Sequence, residues 1–246
     1  MKCTNRKIAG LLLFVGLLQF ILTQIVCETI YPDYLVGQQA ISDLGNWGLA
    51  GNFAAVFAAS SILLGVFIIA GAYFNMQGSK NRGFTALLAI AGVGNVMVGV
   101  VAENVIPSVH SLFALIMFVS WAVAALLSYK LVKSPFSYVS VTLGSVSLLM
   151  LFLSLLAQRV SPSFALSLGM GGLERLIVYP LWLWTLGLGT YLMCESNYAA
   201  EMGTSGLVYS LKFVIDAGGW DLNPPASGDL TRISPFFKKT LSFFSF

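Results

Sequence analysis

Six stretches of the chain are almost entirely apolar, and short polar segments separate them. They cover residues 8–27, 49–74, 84–102, 108–131, 136–157 and 173–193. Each comes close to the roughly 20 apolar residues that a helix needs to cross a hydrocarbon core of about 30 Å. A segment alone in lipid has to satisfy its own backbone hydrogen bonds, so each stretch is predicted to be a helix. The pattern therefore predicts an all-α, polytopic membrane protein. Residues 1–195 form a six-helix transmembrane domain, and residues 196–246 form a tail.

Composition sharpens this picture. Of the 246 residues, 57% are hydrophobic and 9% are charged. Soluble domains carry about 25% charged residues, so this chain cannot clothe a water-facing surface and must use lipid as part of its solvent. Net charge is +3, with no long basic run, which argues against nucleic acid as a partner. Cys3, Cys27 and Cys194 are scattered, with no CxxC or Cys/His pairing, and read as incidental thiols. The first apolar stretch follows Lys2, Arg6 and Lys7, as a secretory signal would. It is longer than a signal's apolar region, and no small-x-small site precedes Glu28, so it reads as a retained span. Gly92, Gly94, Gly99, Gly187 and Gly189 punctuate the spans as helix-packing seams; Gly92-Val93-Gly94 lacks the strand and spacing of a dinucleotide loop.

Lys and Arg placement orients the chain. Lys2, Arg6, Lys7, Lys80, Arg82, Lys130 and Lys133 fall at one end of the spans, and only Arg159 and Arg175 at the other. The positive-inside rule makes the first end cytoplasmic and puts both termini there, in a multi-pass protein of the cell membrane. The tail carries Glu195, Glu201, Asp216, Asp221 and Asp229, a short amphipathic stretch at 207–215, and a break at Asn223-Pro224-Pro225. Its end mixes Phe236, Phe237, Lys238, Lys239, Phe243 and Phe244, which suits either a membrane interface or a partner-docking segment.

The polar residues that look out of place all fall on the opposite, extracytoplasmic side. Tyr31, Asp33, Gln38, Gln39, Ser42 and Asp43 lie in the first outer loop, with Asn46 and Asn52 after them. Glu103 and Asn104 precede the fourth span, His110 lies just inside it, and Arg159, Glu174 and Arg175 flank the sixth. Ionisable groups at membrane depth usually pair, line a cavity or serve a function. One reading is structural: Glu174 or Asp43 pairs with Arg175, and Glu174 in the first turn of span six is favoured by the helix dipole. The other is a pocket built from Tyr31, Ser42, Asp43, Glu103, His110, Glu174 and Arg175. Pro107 opens span four, which puts His110 in its first turn, where imidazole can act as acid or base. Arg175 could hold a phosphate or carboxylate in bidentate fashion. Asp43, Glu103 and His110 could bind a divalent metal, but no HxxxH or HExxH spacing supports one, and no motif indicates a cofactor.

Three elements carry a family resemblance. They are Tyr31-Pro32-Asp33-Tyr34 leading into Ile41-Ser42-Asp43-Leu44-Gly45; Asn104-Val105-Ile106-Pro107 with His110; and Gly171-Gly172-Leu173-Glu174-Arg175 with Pro180 and Trp184. Together they resemble an archaeal and bacterial membrane family, domain of unknown function 998, over about residues 8–195. In that family a YPGY-like element leads into ISDLG, a Phe-Pro-Glu element precedes a histidine, and G-x-x-E-R opens the last helix. Here Glu103 comes before the proline, not directly after it. The resemblance implies six helices and no known reaction. A weaker likeness, through the ISD-turn-Gly element, is to eukaryotic membrane proteins of the Frag1/DRAM type, which are linked to lipid handling.

With no catalytic signature, the leading expectation is a non-catalytic subunit or scaffold of a membrane complex, meeting other membrane subunits through its spans or tail. The alternative is a lipid-headgroup or small-anion binding protein, or an enzyme acting on such a group, with its pocket on the outer side. A small transporter ranks last, because no inverted repeat and no mid-membrane charge is evident.

Overall fold

A computed structural model describes the backbone of residues 2–78 and 81–218 and the side chains of residues 4–77 and 81–194. The expectations placed on the last 28 residues, among them the Asn223-Pro224-Pro225 break and the aromatic-lysine end, lie outside the described residues. Among the described residues there are seven α-helices: α1 (Lys2–Ile30), α2 (Trp47–Ala50), α3 (Phe53–Gly78), α4 (Arg82–Val100), α5 (Pro107–Leu127), α6 (Phe136–Arg159) and α7 (Gly169–Gly218). No strand occurs among the described residues. All but the short α2 are long and apolar enough to span a membrane, which makes this a six-span, multi-pass membrane protein. The chain divides into two units, Met1–Ala200, which holds the spans, and Glu201–Phe246.

Sequence punctuation explains where the helices start and stop. The second apolar stretch begins at Leu49, yet the long helix starts at Phe53. Gly51 adopts a positive φ of 54°, which ends α2 and re-aims the chain. Asn46 caps α2 by accepting from the Gly48 amide, and Asn81 caps α4 by accepting from that of Phe84. Pro107 opens α5 as expected, since a first-turn residue needs no amide hydrogen.

Glycine lets the spans approach closely. A Cβ on Gly65 or Gly92 would meet the other residue's carbonyl oxygen, which locks α3 against α4. Gly10 and Gly189 do the same between α1 and α7, and Gly94 brings α4 to the backbone of Met117 in α5. The sixth span, within α7, is the most enclosed: 56% of its spanning window is buried, against 28% in α6. Trp184 and Thr185 are fully buried there. The Trp121 indole N–H of α5 donates to Thr185 Oγ1 (2.9 Å), and that of Trp184 donates to Ser128 Oγ (3.1 Å). Phe84 of α4 and Phe20 of α1 meet Trp184 and Trp182 edge-on. The spans thus gather around this helix, and its start sits beneath the segment that joins α1 to α3.

Candidate functional site

The expected polar residues do converge, at the end of the bundle that carries residues 31–52, 101–106 and 160–168, here termed the first-loop end. They form two groups of different character. The first surrounds Arg175. Its Nη1 donates to the carbonyls of Val36 (2.7 Å), Gln39 (3.0 Å) and Gly171 (3.0 Å). Its Nη2 donates to Glu28 Oε1 (2.6 Å) and to the Tyr34 hydroxyl (2.8 Å). Glu28 belongs to the end of α1, so one guanidinium ties α1, the first loop and α7 together. Gly171 makes this possible, because a Cβ there would overlap the carbonyl oxygens of Gln39 and Val36. The Gly172 amide adds a bond to the Gly37 carbonyl (3.2 Å).

Tyr34 is the hinge of this latch. It accepts from Arg175 and donates to the Ala40 carbonyl (2.7 Å). Burial pushes its phenol above the ordinary tyrosine range, although Arg175 pulls the other way, so the donated proton stays in place. Tyr31 packs edge-on against Tyr34, and its hydroxyl accepts from Gln39 Nε2 (3.4 Å). Two expectations are corrected here. Arg175 pairs with Glu28, not with Glu174 or Asp43. Both of its terminal nitrogens are engaged within the chain and Nε is buried without a partner, so it does not present an open bidentate fork to an anion. Glu28 and Tyr34 were not among the expected site residues. Tyr34 stood inside the quoted motif, but a lone glutamate closing an apolar span gave no signal of a partner 147 positions away.

The second group surrounds a cavity. α7 starts at Gly169, so Glu174 lies in its second turn, not its first. Its Oε2 accepts from the Ile41 amide (2.7 Å), which fixes the loop directly above. Ser42 Oγ donates to Glu103 Oε2 (2.8 Å), and Asp43 Oδ2 accepts from the Ala40 amide (2.9 Å), closing the turn that begins the Ser42–Gly45 3₁₀ helix. Burial raises the Asp43 carboxyl above the ordinary aspartate value; the Ala40 amide opposes this, and the nearby Glu103 charge adds to it. His110 is 5% exposed, and its Nδ1 lies 2.7 Å from the Val101 carbonyl. A carbonyl can only accept, so Nδ1 carries a hydrogen.

Ser42, His110 and Glu174 face a cavity of about 50 Å³, together with Ser61, Asn95 and apolar side chains that include Phe20, Trp121 and Trp182. Asn95 was not foreseen. It is 4% exposed, and its Nδ2 has no hydrogen-bond partner, while Ser61 Oγ donates to its backbone carbonyl (3.2 Å) and contacts its Oδ1 (3.4 Å). A single amide inside an apolar span, between Gly94 and Val96, was its one signal. Among the described residues, no three His, Cys, Asp or Glu side chains come close enough together to hold a metal ion.

A family model described as "Protein of unknown function (DUF998)" matches residues 14–191. No curated protein and no solved structure matches the chain, and the weaker Frag1/DRAM likeness finds no support.

Proposed function

Since the chain belongs to the DUF998 family across nearly all of its six-span body, we propose that it is a ligand-binding membrane protein of that family, taking a lipid headgroup or a comparable small polar group in the chamber between Ser42, Asn95, His110 and Glu174. The observation that carries this is Asn95 Nδ2, a buried donor without a partner on the wall of a cavity. An unmade hydrogen bond of this kind costs about 1–3 kcal/mol, and such groups rarely persist without a reason.

The excess of seven Lys and Arg over two between the ends supports a first-loop end on the extracytoplasmic side of the cell membrane, with both termini in the cytoplasm. The chamber then opens within the outer leaflet. Native mass spectrometry of the protein in mild detergent tests the assignment. Wild type should retain a ligand that Asn95→Leu loses, with Asn95→Leu still folded by thermal denaturation. Equal ligand content in the two would sink it.

A second reading, a non-catalytic subunit of a membrane complex, is favoured by the 55 residues that follow the family match, 192–246. Blue-native electrophoresis decides: a lone monomer, with no partner after mild extraction, removes it.

A further inference from the structure

The chamber's chemistry narrows the ligand. The nearest guanidinium, Arg175, is committed to Glu28, Tyr34 and three carbonyls, so no cation faces the chamber from α7. The ionisable groups on its walls are Glu174 and His110. Glu174 spends one oxygen on the Ile41 amide, and the Nδ1–H tautomer of His110 has a lone pair at Nε2. Both therefore offer acceptors. A phosphate or carboxylate would find these acceptors and no Lys or Arg on the chamber's walls to pair with, which is strongly unfavourable. A protonated amine would supply both the charge and the donors that Glu174 and His110 lack. Phe20, Trp121 and Trp182 also line the chamber, and aromatic side chains are common neighbours of a bound cation.

Asn95 demands the complementary feature. Its unpartnered Nδ2 is a donor and needs an oxygen acceptor. Asn95, His110 and Glu174 line the same cavity, so donor and acceptors face one space. Size sets the last limit. A cavity needs about 10–15 Å³ for each water-sized group, so about 50 Å³ admits some three to five heavy atoms. An ammonium and an oxygen two carbons apart make four.

We infer that the chamber binds an amino-alcohol group, its ammonium on Glu174 and His110 and its oxygen on Asn95, as carried by an ethanolamine headgroup or by free ethanolamine. The inference rests on the chamber being a binding site, as proposed above. The test uses the full chain in nanodiscs of phosphatidylcholine, measuring Tm with ethanolamine added, or with phosphatidylethanolamine or phosphatidylglycerol in the disc. An amine-bearing ligand should raise Tm by about 2–4 °C. A rise with phosphatidylethanolamine alone identifies a lipid source; a rise with free ethanolamine identifies a soluble one. Asn95→Leu and His110→Phe should each abolish the rise. Two substitutions on different helices guard against one that fails to fold. A rise with phosphatidylglycerol but neither amine overturns the amino-alcohol assignment and leaves the chamber a binding site. No rise with any of them, together with no retained ligand in mass spectrometry, overturns both. A rise with the amines that both variants keep places the amine elsewhere on the protein and overturns the inference.

Discussion

At the scale of single residues, Arg175 and Asp43 make opposite demands. Arg175 is 7% exposed at its side chain and donates to two first-loop carbonyls, of Val36 and Gln39, and to that of Gly171 in α7. Arg175→Ala should cost about 1–3 kcal/mol, because it strips first-loop carbonyls of a donor and leaves the half-buried Glu28 with Gln24 alone. Arg175→Lys should recover only part of this, since an ammonium cannot reproduce the planar fork. Thermal unfolding in detergent, with limited proteolysis in residues 31–41, reads both effects; a wild-type Tm in Arg175→Ala would refute the latch. Asp43 holds its proton more tightly when folded than an unfolded aspartate does. The folded state then binds more protons than the unfolded one between the two values, so Asp43's share of stability is greatest below the ordinary aspartate range and declines as pH rises through the raised folded value. Asp43→Asn should remove that decline. Tm measured from pH 4 to 8 checks it, and an unchanged slope in Asp43→Asn would exclude Asp43 as the source.

At the scale of elements, the glycines separate crowding from backbone conformation. Gly171 has an ordinary helical backbone but no room, and Gly51 has open space but a φ of +54°. Gly171→Ala should push the first loop off α7 and cost at least about 1–3 kcal/mol. It should also raise proteolysis in residues 31–41. Gly51→Ala should cost about 1–3 kcal/mol through its backbone alone, with the loop as protected as in wild type. If both variants expose the loop equally, the distinction between them is wrong. These elements also mark what the sequence made legible. The six apolar stretches, Pro107 and the gathering of Ser42, Glu103, His110 and Glu174 at one end could be read from period, charge and loop order. The break at Gly51 could not, because an apolar run reads the same on either side of a turn. Nor could the pairing of Arg175 with Glu28, because only packing decides which carboxylate a buried cation reaches. The chamber is a gap between helices and has no counterpart in any one segment.

At the scale of the whole molecule, the charge bias between the two ends makes a topological prediction. Single cysteines at Val160→Cys and Lys133→Cys, in a chain whose own cysteines are replaced by serine, should respond oppositely to a membrane-impermeant maleimide. Both positions are exposed. The first should label on intact cells, and the second only after permeabilisation; the reverse pattern would invert the orientation. The latch carries a further consequence, for biogenesis. Glu28 and Tyr34 leave the ribosome well before Arg175, which is 147 positions behind Glu28. At 5–20 residues per second, roughly 7–30 s separate them. During that interval the emerged loop has no guanidinium to organise its carbonyls, however well the early helices have inserted. The chain's last membrane helix is therefore the one that completes its first loop, and a nascent polypeptide stalled before that helix would present the quality-control machinery with a loop that cannot yet close.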